Sequence, residues 1–246
     1  MCSGTSKVRA SAGIALLLSL ALLLGACMGE PLPPPDARYS LGACPPALAG
    51  YVALGSSSTE GTGASDIRRT AYVALLRERL RATCPDLRAL NLGRGGARVD
   101  TFLAQVPEIE HAAPSIITIL PFADFANTPP ADFSRDYAAL FDRLRPLGAT
   151  IFVGDQRLDR RYICGVRPQG QTCYGTDAAQ RIADKNQALA ALARTRPWVV
   201  LVPIVDSMLP HPEWLAADGQ HPNDQGHADL ARQFWPALAA WVKRSR

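Results

Sequence analysis

Residues 51–61 read Tyr-Val-Ala-Leu-Gly-Ser-Ser-Ser-Thr-Glu-Gly, and the fold turns on how this stretch is understood. Tyr51–Leu54 is a short apolar run, suited to a strand buried on both faces. Gly55 and the serines Ser56, Ser57 and Ser58 then make a small-residue turn, and a helical pattern begins a few residues later. Strand, tight turn and helix start together place a serine at the edge of a sheet. Taken alone, the stretch reads better as a flexible loop rich in Ser and Gly; what changes the balance lies near the C-terminus.

The same alternation continues along the chain. Ile67–Ala82 carries Ile67, Ala71, Ala74, Leu75 and Leu80 at helical spacing, with Ser65 or Asp66 as its N-cap. Leu87–Leu92 reads as a second strand, followed by the turn Arg94-Gly95-Gly96-Ala97 and a helix from Val99 to about Val106. Ser115–Leu120 is the most strand-like run, β-branched and apolar throughout. A loop rich in Pro and Asn is expected to Pro130, then a helix over Asp132–Leu144, a strand over Thr150–Val153, a helix over Thr176–Arg194, a strand over Trp198–Val202 and a last helix over Gly226–Val242. Apolar strands alternating with helices predict a parallel sheet covered on both faces. Ligands of such sheets bind beyond the carboxyl ends of the strands, so the loops 55–63, 93–97 and 121–130 should meet on one edge.

The composition, 48% hydrophobic and 20% charged, is that of a chain with an ample core. Lys7 and Arg9 precede the apolar run Ile14–Leu24, which has the plan of a secretory signal. Its exit, Leu24-Gly25-Ala26-Cys27, resembles the lipobox of bacterial lipoproteins, which implies lipidation at Cys27; a soluble secreted protein cleaved after Ala26 and an uncleaved anchor are the alternatives. The expected organisation is a signal over 1–26, a lipidated N-terminus with a Pro-rich tether over 27–43, and one α/β domain over 44–246. The net charge of +4 falls to +2 without Lys7 and Arg9. The only basic cluster, Arg157, Arg160 and Arg161, is small, so no nucleic-acid partner is expected. The protein is expected to be a monomer whose contact with a membrane runs through the N-terminal lipid.

Of six cysteines, Cys2 lies in the signal and Cys27 at the lipid site. The four that remain in an exported domain invite disulfides. Cys164 and Cys173 flank a loop and are the easiest pair to close, and Cys44 and Cys84 would then tie the N-terminal segment to the end of the first helix. Neither pair has zinc-like spacing with histidines, and neither a metal nor a cofactor is expected.

Ala217-Asp218-Gly219-Gln220-His221-Pro222-Asn223 precedes the last helix. An Asp three residues ahead of a His on one turn can bond the nearer ring nitrogen, leaving the other free to take a proton. Asn223 or Asp224 can cap the helix, so Asp218 is not needed there. Here the sequence resembles the SGNH, or GDSL-type, hydrolase family over about residues 50–242. Gly55-Ser56-Ser57-Ser58-Thr59 is similar to the family's Gly-Asp-Ser-x-Thr, Asn91-Leu92-Gly93-Arg94-Gly95-Gly96-Ala97 to its block with an oxyanion-hole glycine, and Asp218-x-x-His221-Pro222 to its Asp-x-x-His-Pro. Asn223, Gly226 and His227 are also typical of the family.

The resemblance implies a three-layer α/β/α fold with a flavodoxin-like parallel sheet of about five strands. It also implies Ser57 as nucleophile, His221 as general base, Asp218 as the orienting carboxylate, and the amides of Ser57 and Gly96 in the oxyanion hole. Two departures stand out. Ser56 occupies the family's Asp position, and Ala123 occupies that of the Asn whose side chain donates to the oxyanion; a one-residue shift would put Asp124 there, and Asn127 in the following loop is a candidate substitute. The reading is an exported hydrolase of small-molecule, glycan or lipid esters. A catalytically impaired binding lipoprotein is the alternative, or an acyltransferase or deacetylase acting on cell-envelope glycans.

Other candidates carry less. The 55–63 loop lacks the lysine of a nucleotide-binding P-loop. His111 and His211 show no ligand-like spacing, His227 reads as helix surface or packing, and Trp214 lies close enough to the His221 turn to line a pocket.

Overall fold

The computed structural model describes residues 36–158, 163–164, 174–208 and 210–246. The expected signal, Cys27, the tether as far as residue 35, Arg160, Arg161 and the Cys164–Cys173 pairing lie outside the described residues. In chain order the elements that build the domain are β1 (Gly50–Gly55), α1 (Ser57–Glu60), α2 (Tyr72–Arg81), β2 (Arg88–Asn91), α3 (Val99–Ala104), α4 (Val106–Ala112), β3 (Ile116–Leu120), α5 (Phe122–Asn127), α6 (Pro130–Leu144) and β4 (Thr150–Gly154). The two-residue strands β5 (Ile163–Cys164) and β6 (Tyr174–Gly175) pair with each other, and α7 (Thr176–Arg194), β7 (Val199–Val202) and α8 (Asp224–Arg244) complete the domain.

The main sheet has the order β2-β1-β3-β4-β7, and every pairing in it is parallel. Val52 stands beside Leu90 on one side and Ile117 on the other. Because side chains alternate across a strand, each inner strand feeds two cores. Val52, Leu54, Ile117 and Ile119 point into a cluster with Phe102, Phe133, Tyr137 and Phe141 from α3 and α6. Tyr51, Ala53, Ile116 and Leu120 point the other way, onto Tyr72, Leu76, Leu80, Leu230, Phe234 and Leu238 of α2 and α8. Each large apolar side chain buried this way contributes about 1.5–3 kcal/mol. The result is the expected three-layer α/β/α arrangement. One buried polar pair is satisfied within it, Tyr51 Oη with Thr118 Oγ1 at 2.9 Å.

Several local expectations change. β2 is exposed along its length, because it is the edge of the sheet rather than a covered inner strand. The first long helix starts at Tyr72 and not at Ile67, since Ser65 and Thr70 are drawn into bonds with Asp224 of α8. The loop expected after β3 contains the short helix α5, which Thr128 and Pro129 separate from α6. The Cys44–Cys84 disulfide is present, with Cα atoms 4.9 Å apart. Among the described residues no helix is long and apolar enough to cross a membrane.

Candidate active site

The strand order reverses between β1 and β3, and in doubly wound sheets this is where the loops leaving neighbouring strands part and open a crevice. β1 delivers Ser57 there as the first residue of α1, and β3 delivers α5. The four residues of α1 cannot hold themselves in place; a helix so short draws its stability from its surroundings. Asn91 Nδ2 donates to Thr59 O at 2.7 Å, Asn91 Oδ1 accepts from Gly93 N at 2.9 Å, and Thr59 Oγ1 meets Tyr72 Oη at 2.8 Å. Gly93 lies so close behind α1 that a Cβ would sit 2.3 Å from Glu60 N, and only glycine leaves that room.

Ser57 Oγ and His221 Nε2 are 2.9 Å apart, and His221 Nδ1 and Asp218 Oδ2 are 2.7 Å apart. The Asp218 carboxylate also accepts the backbone N–H groups of His221 and Gln220, at 3.0 and 2.9 Å. These two backbone bonds and then the His221 ring bond hold its carboxyl well below the usual carboxylate range. An ionised carboxylate only accepts, so the proton of neutral His221 belongs on Nδ1, and Nε2 offers a lone pair to the Ser57 hydroxyl. This arrangement persists although the Asp218 side chain is 48% exposed, because the tight turn fixes it.

The His221 turn is anchored on both sides. Ala216 N donates to His221 O and Asn223 N to Trp214 O, each at 2.8 Å. Asn223 is the N-cap of α8, accepting from Gln225 N and Gly226 N, and its Nδ2 also donates to Glu213 O. Asp224 instead receives Ser65 N, Ser65 Oγ and Thr70 Oγ1 at 2.8, 2.5 and 2.7 Å. Of the two expectations for His227, helix surface or packing, the second holds, since the residue is fully buried. Its Nδ1 accepts from Tyr72 N at 3.3 Å and its Nε2 donates to Thr62 O at 3.1 Å, a pattern that only the neutral ring satisfies. Burial holds its pKa below the usual histidine value.

An open cavity of about 540 Å³ lies over Ser57 and His221. It is bordered by Gly95 and Gly96, by Phe122, Ala123, Ala126 and Asn127 of α5, and by Glu60, Thr62 and Gln220. Gly96 therefore joins Ser57 at the cavity, and position 123 faces it as an alanine. Asp124 does not take its place. It is 0% exposed, receiving Tyr137 Oη at 2.8 Å, Thr128 Oγ1 at 2.9 Å and Val99 N at 3.4 Å; desolvation raises its pKa against these bonds. Trp214 lines a separate cleft with Tyr39, Arg79 and Trp235. His211 stacks on Trp214 and has Glu213 Oε1 2.9 Å from its Nδ1, a surface pair that the spacing argument overlooked.

Lys185 of α7 is a further residue that the sequence reading missed. It is buried, and its Nζ donates to Asp124 O at 3.1 Å and Phe125 O at 2.7 Å, carbonyls at the middle of α5. Desolvation lowers its pKa, Arg181 adds to this and Asp124 opposes it. The signal was available, since Lys185 falls between Ile182 and Leu189 on the buried stripe of α7.

The parallel α/β/α sheet, with a serine, a histidine and an aspartate linked over its carboxyl edge, places the chain among the α/β folds that carry such a constellation. The chain belongs to the GDSL-like lipase/acylhydrolase family, matched by residues 53–228. Solved structures share the fold. TesA is 23% identical, with 77% of this chain and 97% of that one covered at a TM-score of 0.58. A variant of the acetyl xylan esterase Axe2 from Geobacillus stearothermophilus is 19% identical, with 78% and 96% covered at 0.57. The psychrotrophic esterase EstA from Pseudoalteromonas sp. is 14% identical, with 79% and 98% covered at 0.59. No curated protein sequence matches the chain.

Proposed function

We propose that the protein is a serine hydrolase that cleaves carboxylic esters through an acyl-enzyme. The observation that carries this reading is the continuous hydrogen-bonded line from Ser57 Oγ through His221 to Asp218. A serine hydroxyl is a weak nucleophile until a base accepts its proton. As Ser57 Oγ attacks the ester carbonyl carbon, its proton passes to His221 Nε2, and Asp218 stabilises the imidazolium. The carbonyl oxygen gains negative charge, met by the amides of Ser57 and Gly96. The carbon–oxygen bond to the alcohol then breaks, and His221 returns the proton to the leaving oxygen. Water attacks the Ser57 ester with His221 again as base, releasing the acid and restoring the serine.

The cavity walls support a short acyl group and a polar alcohol: Gly95, Gly96, Ala123 and Ala126 are small, and Glu60, Thr62, Asn127 and Gln220 are polar. Export is part of the proposal, supported by the signal-like residues 1–26 and by the Cys44–Cys84 disulfide, a bond typical of oxidising compartments. Lipid attachment at Cys27 rests on the Leu24-Gly25-Ala26-Cys27 sequence. Ala123 favours one second reading, a binding protein with little remaining catalysis. Hydrolysis of short-chain p-nitrophenyl esters by the purified protein separates the two. The proposal expects Ser57→Ala to lower kcat at least about a thousandfold, whereas equal rates from the protein and this variant would remove Ser57 from the mechanism.

A further inference from the structure

We propose that Asn127 donates to the oxyanion in place of the side chain that Ala123 lacks. The inference rests on the ester-hydrolase reading and deepens it. Ala123 and Asn127 stand one turn apart on α5, and residues four apart share a helix face. Both border the cavity over Ser57, as does Ala126 between them. Asn127 Nδ2 donates to Ala123 O at 3.0 Å, so the carboxamide folds back over the alanine. A carbonyl only accepts, and this settles that the nitrogen is the end turned toward position 123. That nitrogen carries two N–H groups and the helix uses one of them. The second has no partner among the described residues, and the side chain borders the cavity in which an ester carbonyl would lie over Ser57.

Oxyanion stabilisation depends on donors that are already in place when charge develops. α5 meets that condition despite its six residues. Lys185 holds two of its carbonyls, and Asp124 ties its inner face to α6 through Tyr137 and to α3 through Val99 N. The other groups along the cavity are less suited. Glu60 is an acceptor when ionised, and Gln220 belongs to the His221 turn, on the side of the base. Ser56 and Ser58 flank the nucleophile in its own turn rather than standing across from it on α5.

The test compares Asn127→Ala, Asn127→Asp and the double variant Asn127→Ala/Ala123→Asn on one short-chain p-nitrophenyl ester, with Ser57→Ala as reference and thermal melting as a check on folding. Loss of an oxyanion donor costs about 10²–10³-fold in kcat. The expectation for Asn127→Ala is a fall in kcat of about 10–100-fold, since two amides remain, with KM changed less than about threefold. Asn127→Asp keeps the side chain's shape and should lose at least as much, and the double variant should recover most of the rate because the donor returns from position 123. An Asn127→Ala or Asn127→Asp enzyme with wild-type kcat overturns the inference. So does a change confined to KM, or a loss that Ala123→Asn does not repair. If Ser57→Ala is inactive while both Asn127 variants are fully active, this inference fails and the ester-hydrolase reading stands. An active Ser57→Ala enzyme brings down both.

Discussion

Gly63→Ala should disable the protein from outside the cavity. Gly63 has φ +90°, and a Cβ on it would lie 2.3 Å from Pro222 O and 3.2 Å from the Ala216 Cβ. Cβ contacts essentially never fall below 3.0 Å, so at least about 0.7 Å must be found between two stretches of backbone. Pro222 follows His221, whose Nε2 stands 2.9 Å from Ser57 Oγ. If the turn moves by that amount along the line of the bond, the separation grows to about 3.6 Å, beyond hydrogen-bond range. A misplacement of about 1 Å can cost about a hundredfold, so the expected fall in kcat is about 10–100-fold. The left-handed backbone adds about 1–2 kcal/mol of strain for an L-residue, and overpacking adds about 1–3 kcal/mol. For a domain of this size, melting should fall by roughly 5–15 °C. Ester hydrolysis and scanning calorimetry on the same preparation measure both effects. Wild-type kcat and melting in Gly63→Ala would refute the claim that loop 61–70 and the His221 turn are held against each other.

Lys185→Met should take the donor from Phe125 O and leave Asp124 O with the Thr128 N–H alone, at a cost of about 1–3 kcal/mol, read as a melting temperature lower by roughly 3–10 °C; unchanged melting would contradict the brace. Burial depresses the His227 pKa in the fold, so the stability of the neutral ring is fully present above its ordinary pKa near 6.5 and is lost as pH falls through the lower folded value. The decline in melting temperature between pH 7 and pH 5 should therefore be shallower in His227→Gln, and an unchanged slope would count against the neutral bridge. Replacing both Cys44 and Cys84 by Ser opens a bridge between residues 40 apart, for which the chain-entropy argument gives about 4 kcal/mol; equal urea midpoints would contradict it.

The fold was legible because its signals are local and repeated. Ile116–Leu120 and Thr150–Gly154 are apolar on both faces, which only a covered parallel sheet tolerates. β2 was harder, because Arg88-Ala-Leu-Asn91 lies on the edge and needs no apolar alternation. At the site, Asp218 and His221 could be read because a tight turn fixes one against the other from three residues away, whereas Ser57 stood out from its neighbouring serines only through the family resemblance. The supports could not be read in the same way. Asp224 reaches back to Ser65 and Thr70, His227 reaches to Thr62 and Tyr72, and Lys185 reaches to α5; each joins positions more than 50 residues apart. Such partners are chosen by packing, which leaves no spacing signature. α5 was hidden for a related reason: a six-residue helix between prolines has little propensity of its own and forms because Asp124 and Lys185 hold it.

In the proposed mechanism His221, oriented by Asp218, activates Ser57. Mass spectrometry of the purified protein after reaction with a fluorophosphonate tests it most directly. One phosphonyl adduct per chain is expected, mapped to Ser57 and lost in His221→Ala. An adduct on another residue, or labelling of Ser57 that proceeds at the same rate without His221, would contradict it.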